Sequence, residues 1–266
     1  AILTFNAATF AMVYLMSLYL QLAAGLDARS TGVILLLSAQ GMRTGAFTVA
    51  EVAPIQARTF HIGASIRGDF PLIADLVYLD SASMSISPEP VLAAVLEYER
   101  HYRANVGRGV HRLSQVASQK YWDAHEKAKR FIGAKEGELV FTRDTAEAIT
   151  MVAKGLAWKP RDRVITTVLE ESSNLVPWLR LRDQGVECEI LPLTESHTLD
   201  PARLAGLINE RTSLVSVTHA SGVLGSITPV REIGRICHDR GVLLLVDGTH
   251  SVPHMPVDVR DLGCDF

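Results

Sequence analysis

The sequence GVLLLVDGTH, from Gly241 to His250, decides the expected fold, and it continues as SVPHMPVDV. Its apolar residues Val242 to Val246 run without a polar break, as in a strand that is buried on both faces of a sheet. Asp247 follows at the carboxyl end of this predicted strand, and open α/β sheets bind ligands just beyond that end. A carboxylate fixed there can meet a positive group on a ligand, such as a protonated ring nitrogen. The alternative is that Asp247 only begins a turn.

The chain before this strand alternates short apolar strands with amphipathic helices. Strands are predicted at 76–79, 138–142, 164–168, 186–191, 214–218 and 242–246, and helices at 91–102, 114–132, 145–158, 174–184, 201–209 and 230–240. This alternation predicts an α/β fold with a mostly parallel sheet and helices on both of its faces.

Composition excludes some classes of protein. The chain has 266 residues and a formal net charge of −3, so it lacks the basic excess of a nucleic-acid-binding domain. Its cysteines, Cys188, Cys237 and Cys264, are odd in number and scattered, which argues against a disulfide framework. A reducing, cytoplasmic location is therefore expected.

The first 41 residues differ from the rest. Residues Ala1 to Leu26 carry no charge, and Ala7 to Leu26 is long enough to cross a bilayer as a helix. Residues 1–41 are predicted to be an apolar, transmembrane-type segment of fused or artefactual origin, with membrane attachment only if they belong to the cellular protein. A linker or N-terminal arm (42–75) and an incomplete α/β domain (76–266) are expected to follow, so the chain is interpreted as a fragment.

A second ligand signal lies where the strand predicted at 138–142 meets the next helix, in FTRDTAEA. Asp144 and Glu147 have capping-box spacing, although Thr145 could equally be the N-cap. A helix that begins directly after a strand presents N–H groups and a positive dipole end, which suits a phosphate. Many such junctions are capped in this way and bind nothing.

These segments together resemble a known family. The strings LDSAS, RGVHRLS, ELVFTRDTAEAI, SNLVPW, VTHASGVLGSITPV and VDGTHSVPHMPVDVRDLGCDF, in this order and spacing over residues 66–266, resemble class V aminotransferase-type pyridoxal-phosphate enzymes. Within that family the cysteine desulfurases of the selenocysteine-lyase-like group are the most similar. Residues 1–41 also resemble a segment of a major-facilitator transporter.

The resemblance implies a fold, a cofactor and an activity. The fold is the large domain of a fold-type-I pyridoxal-phosphate transferase, and the protein is a homodimer that binds pyridoxal 5′-phosphate. The activity is the conversion of L-cysteine to L-alanine. The enzyme-bound persulfide sulfur then passes to an acceptor protein for iron–sulfur cluster assembly.

The resemblance also implies cofactor-binding residues. Asp247 corresponds to the aspartate that pairs with the pyridinium nitrogen, and Thr145 and Ala146 match the phosphate-binding turn. His250 stands where the family has a glutamine that donates to the phenolic oxygen of the ring, and an imidazole can donate there too.

Three further positions concern the substrate and the reaction. Ser221 and Gly222 lie at the family's Ser-Asn pair beside the substrate, and glycine removes the amide. Glu171 occupies the position of a catalytic histidine that stacks on the cofactor, and a carboxylate cannot stack in this way. These departures leave open another class V reaction (an aminotransferase, epimerase or lyase) or a non-catalytic product. The Schiff-base lysine and the persulfide cysteine of the family fall beyond Phe266.

Two histidines have a spacing that a metal site could use. His250 and His254 are four residues apart, but Pro253 between them argues against one continuous helical face. No metal is predicted.

Overall fold

The computed structural model describes residues 67–73, 78 and 80–266. The chain divides into two compact units, Ala1–Ala104 and Asn105–Phe266. The domain boundaries predicted at 41 and 75, the segment Ala7 to Leu26 and nearly all of the strand predicted at 76–79 lie outside the described residues. In the described part of the chain, no helix is both long and apolar enough to cross a membrane.

The described part of the first unit is helical. A 3₁₀ turn spans Pro71–Ile73, and helix α1 spans Glu89–Glu97 and continues as a π-helical turn, Tyr98–Tyr102. Proline stands at the start of α1, where its missing N–H has no intrahelical partner to lose. The helix predicted at 91–102 is thus confirmed, with a start two residues earlier.

The second unit contains a parallel sheet of four strands in the order β2-β1-β3-β4. The strands are β1 (Arg163–Thr167), β2 (Glu187–Leu191), β3 (Thr212–Thr218) and β4 (Leu243–Asp247). All three strand pairs are parallel, and Thr218 at the end of β3 lies opposite Asp247 at the end of β4. The predicted parallel sheet is confirmed.

Helices precede, connect and follow these strands. They are α2 (Arg112–Phe131), α3 (Thr145–Gly155), α4 (Ser172–Arg180), which continues as a 3₁₀ turn Leu181–Gln184, α5 (Pro201–Leu207), α6 (Val230–His238) and α7 (Val259–Leu262).

Two hydrophobic clusters cover the two faces of the sheet. Successive residues of a strand point to opposite faces, so Val164 packs with α3 and α4 while Ile165 packs with α5 and α6. Trp178 of α4 and Ile233 of α6 are fully buried, one in each cluster. The sheet is therefore covered by helices on both faces, as predicted.

The strand predicted at 138–142 is wrong. These residues have no regular structure, and within the described residues they form no backbone ladder with β1–β4. The segment is held instead by α2, because the carbonyl of Leu139 bonds to Nε2 of His125 at 2.9 Å and the ring of Phe141 lies 5.7 Å from that of Tyr121. Apolar residues here contact a helix rather than a neighbouring strand.

Candidate functional site

Asp247 is the last residue of β4 and lies at the carboxyl edge of the sheet, where the parallel strands end. Only 5% of its surface is exposed. Its Oδ1 accepts the backbone N–H of Thr249 at 3.0 Å, so the turn proposed as the alternative does exist. Within the described residues, Asp247 forms no ion pair. A buried carboxylate with this environment favours a cationic group on a ligand.

The start of α3 lies beside this turn. The hydroxyl oxygens of Thr145 and Thr249 are 2.8 Å apart, although the residues are separated by 104 positions in the chain. Asp144 is the N-cap of α3, since its Oδ1 accepts the N–H of Glu147 at 2.7 Å. The structure therefore places the predicted phosphate site next to Asp247, and it decides between Asp144 and Thr145 as the N-cap.

His250 and Gly222 contact each other at this edge. A Cβ atom built on Gly222 would lie 2.5 Å from Nε2 of His250 and less than 3.0 Å from two ring carbons. Real Cβ atoms essentially never approach other atoms so closely. The imidazole therefore occupies the space that any side chain at position 222 would need. The two residues that differ from the family pattern, His250 and Gly222, are thus in contact with each other.

Ser221 is buried and its hydroxyl belongs to its own turn. Its Oγ accepts the N–H groups of Val223 at 3.3 Å and Leu224 at 3.1 Å, and its N–H donates to the carbonyl of Ser226 at 3.0 Å. The loop after β3 is thereby fixed, which holds Gly222 against His250.

Glu171 is exposed and is the N-cap residue of α4, without a side-chain capping bond. Ala146 is also exposed, and with Ser172 it lines a cavity of about 490 Å³ between α3 and α4. Asp247 and His250 do not line this cavity. The structure thus places Asp247, His250, Gly222, Ser221 and Thr145 around linked turns, whereas Glu171 and Ala146 lie at exposed starts of helices.

Glu170 also lies at the carboxyl edge of the sheet, and the sequence analysis did not identify it. Its Oε1 accepts the hydroxyl of Thr167 at 2.5 Å and the backbone N–H of Thr218 at 3.0 Å, and its Oε2 accepts Nδ2–H of Asn174 at 2.5 Å. Asn174 is in turn fixed, because its Oδ1 accepts the indole N–H of Trp178 at 3.1 Å. Glu170 therefore joins the ends of β1 and β3 to the first turn of α4.

The environment of Glu170 raises its pKa from 4.5 to about 7. Burial is the largest cause, because it disfavours the charged form, and the negative charge of Asp247 acts in the same direction. The hydrogen bonds from Thr167, Thr218 and Asn174 oppose this rise. A carboxylate a few residues beyond a predicted strand was the signal used for Asp247, and the same signal could have found Glu170.

The cysteines have the environments of packing residues. Cys237 is buried within the core cluster on the α6 side, and burial raises the pKa of its thiol to about 12. Burial also raises the pKa of Cys188 and of Cys264. Since the thiolate is the reactive form, these thiols are poor nucleophiles.

Within the described residues, no group of three or more His, Cys, Asp or Glu side chains could hold a metal ion. Burial lowers the pKa of His254, and His250 adds to that effect.

Comparison with known protein families identifies the family to which the chain belongs. The family described as aminotransferase class-V matches residues 77–266. The chain belongs to this family. The transporter-like segment at 1–41 lies outside the matched residues and remains a prediction.

Relatives of this class-V aminotransferase chain include a probable cysteine desulfurase of Methanothermobacter thermautotrophicus, 47% identical over 201 residues that make up 76% of this chain and 50% of the relative. A cysteine desulfurase structure from Thermococcus onnurineus is 40% identical, with a TM-score of 0.72, over 76% of this chain and 51% of that one. The cysteine desulfurase CsdA of Escherichia coli is 33% identical, with a TM-score of 0.69, over 76% and 52%.

These likenesses confirm the predicted fold-type-I large domain. The chain spans about half the length of the curated relatives that it matches.

Proposed function

We propose that the full-length protein is a pyridoxal-phosphate-dependent cysteine desulfurase, which converts L-cysteine to L-alanine and retains the sulfur as an enzyme-bound persulfide. The names of the relatives support this activity. The observation on which the proposal depends most is Asp247, a buried carboxylate at the end of β4 that forms no ion pair among the described residues.

The residues at the carboxyl edge fit pyridoxal 5′-phosphate. The Asp247 carboxylate suits a protonated ring nitrogen, and the start of α3 suits a phosphate, with Thr145 and the backbone of Ala146 as donors. The 2.8 Å contact between Thr145 and Thr249 supports this assignment, because it places the two regions side by side.

When bound, pyridoxal phosphate supplies an electron sink for negative charge that develops on the substrate. Asp247 would hold a proton on the ring nitrogen, which would make that sink effective. His250 would donate a hydrogen bond to the phenolic oxygen and so orient the ring. Gly222 provides the space that the imidazole of His250 occupies.

The substrate side of the site differs from the family pattern. Ser221 and Gly222 are proposed to lie beside the substrate, with Ser221 acting through the loop that it fixes. Glu171 is exposed at the start of α4. Because a carboxylate replaces the stacking imidazole there, another class V reaction is the second candidate, and an assay for alanine formed from cysteine separates the two.

The proposed partners follow from the same assignment. The full-length protein is proposed to be a cytoplasmic homodimer that passes sulfur to an acceptor protein. The cysteine that takes the sulfur is proposed to lie outside this chain, because burial raises the pKa of the thiols of Cys188, Cys237 and Cys264.

The test is Asp247→Asn in the full-length protein. The substitution removes the charge and nearly preserves the shape, so the cofactor should still bind while the ring nitrogen loses its counter-ion. Alanine formation should fall by about a hundredfold or more, the pattern expected when a transition-state interaction is lost. Cofactor absorbance, melting temperature and alanine formation are measured in parallel.

The turn interpretation makes the opposite prediction. If Asp247 only supports the turn through Thr249, the variant should lose stability and keep normal turnover in its folded fraction. Normal turnover would therefore contradict the assignment of Asp247 to the cofactor.

A further inference from the structure

Glu170 joins three elements through one carboxyl group. Thr167 ends β1, Thr218 ends β3, and Asn174 lies in the first turn of α4, and each donates a hydrogen bond to it. The hydrogen bonds from Thr167 and Asn174 are each 2.5 Å long, and the bond from Thr167 lies within the range of hydroxyl groups that donate to a carboxylate. The carboxyl group of Glu170 is therefore fixed in place, unlike the exposed carboxylate of its neighbour Glu171.

The carboxyl group of Glu170 affects Asp247 in two ways, through the position of β3 and through its charge. Thr218, whose N–H bonds to Glu170, is the register partner of Asp247, and the next N–H, of His219, donates to the Asp247 carbonyl at 2.9 Å. The charges of Glu170 and Asp247 also act on each other directly. The position of the strand beside Asp247 and the electrostatic field at its carboxylate thus both depend on Glu170.

We propose that Glu170 is a positioning residue for Asp247, which fixes β3 beside it and releases a proton when a cationic ring nitrogen binds there. The inference rests on the proposed function, in which Asp247 receives such a ring. The step is balanced: the Glu170 carboxylic acid becomes a carboxylate, and its proton passes to solvent. Glu170 touches neither substrate nor cofactor in this proposal.

Electrostatics explains the direction of this effect. Before a ligand binds, burial is the main reason that Glu170 is partly protonated near neutral pH, and the negative charge of Asp247 acts in the same direction. A cation at Asp247 removes that repulsion and favours the ionised form of Glu170. The other groups that face Glu170 are Thr167, the uncharged Asn174 and the backbone of Thr218, and the neighbouring His219 is buried with a lowered pKa.

The test compares Glu170→Gln with the unchanged full-length protein, both freed of bound cofactor. The probe is pyridoxine 5′-phosphate, which has the ring nitrogen and the phosphate but no aldehyde to react with a lysine. Its dissociation constants are measured by calorimetry one pH unit below and one above the Glu170 pKa of about 7. Protonation of the probe itself changes its affinity for both proteins equally. The ratio of the dissociation constants of the two proteins at each pH therefore reports the effect of the Glu170 charge.

Above that pH the unchanged protein should gain roughly tenfold in affinity relative to Glu170→Gln, because only it acquires a second negative charge near the ring. Glu210→Gln, which changes an exposed glutamate at the other edge of the sheet, serves as the matched control and should follow the unchanged protein. A ratio that does not change with pH would overturn the inference. Absence of probe binding in every protein would instead contradict the proposed cofactor site.

A second test uses only the unchanged protein, so it remains valid if Glu170→Gln fails to fold. In the infrared difference spectrum of the unchanged protein near neutral pH, addition of pyridoxine 5′-phosphate should diminish the carbonyl band of a protonated carboxylic acid. Binding without this loss would count against proton release from Glu170.

Discussion

At the scale of single residues, the contact between Gly222 and His250 predicts that the two positions are energetically coupled. Gly222→Ala should cost about 0.5–1.5 kcal/mol in the free energy of unfolding, because its Cβ would meet the imidazole at 2.5 Å and the half-buried His250 side chain would have to leave its present position. The Gly222 backbone lies outside the left-handed region, so the cost comes from this contact alone. Urea denaturation of Gly222→Ala, His250→Ala and the double variant measures the coupling.

In the double variant most of the loss caused by Gly222→Ala should disappear, since no imidazole is left to clash with the new methyl group. Gly206→Ala is the control, because a Cβ there meets nothing within 4 Å and the residue lies in α5. It should be neutral or slightly stabilising. Additive effects of the two substitutions would show that the positions are independent.

At the scale of secondary-structure elements, the start of α3 depends on Asp144. Asp144→Ala removes the acceptor of the Glu147 N–H and should lower the free energy of unfolding by about 1 kcal/mol. Asp144→Asn retains a side-chain oxygen and should keep most of that stability. Equal losses in both variants, measured by urea denaturation, would mean that the charge of Asp144 rather than its hydrogen bond stabilises α3.

At the scale of the whole molecule, Glu170 makes stability depend on pH. Its pKa is about 7 in the folded protein against 4.5 as the ordinary value, so between these pH values the folded state binds more protons than the unfolded state. The free energy of unfolding should therefore fall as pH rises from 4.5 to 7, by on the order of 3 kcal/mol from this group. Below 4.5 the contribution of Glu170 no longer changes.

The measurement is chemical denaturation of the ligand-free protein across this pH range. Glu170→Gln should lack this component, whereas Glu210→Gln should retain it. His219 and His254, whose pKa values are lowered by burial, are present in all the proteins, so their contributions cancel in the difference. Parallel pH curves for the unchanged protein and Glu170→Gln would show that Glu170 does not titrate in this range.

The parallel sheet and the position of Asp247 could be predicted from the sequence. Buried parallel strands are continuous apolar runs, and their connecting helices have their own periodicity, so both signals are local. Residues 138–142 show the limit of such signals. An apolar run of that length can lie against a helix as well as pair with a strand, and the contacts of Leu139 and Phe141 with α2 become visible only in the folded chain.

Contacts between distant parts of the chain could not be predicted from the sequence and are seen only in the folded protein. Thr145 meets Thr249, Gly222 meets His250, and Glu170 bonds to Thr218 because parallel strands bring their carboxyl ends to one edge of the sheet. Sequence spacing cannot reveal these pairs, because the two residues of each pair belong to different segments of the chain. The sequence therefore determined which residue types stand at that edge, and the packing of the strands decided which of them touch and how burial shifts the pKa of Glu170.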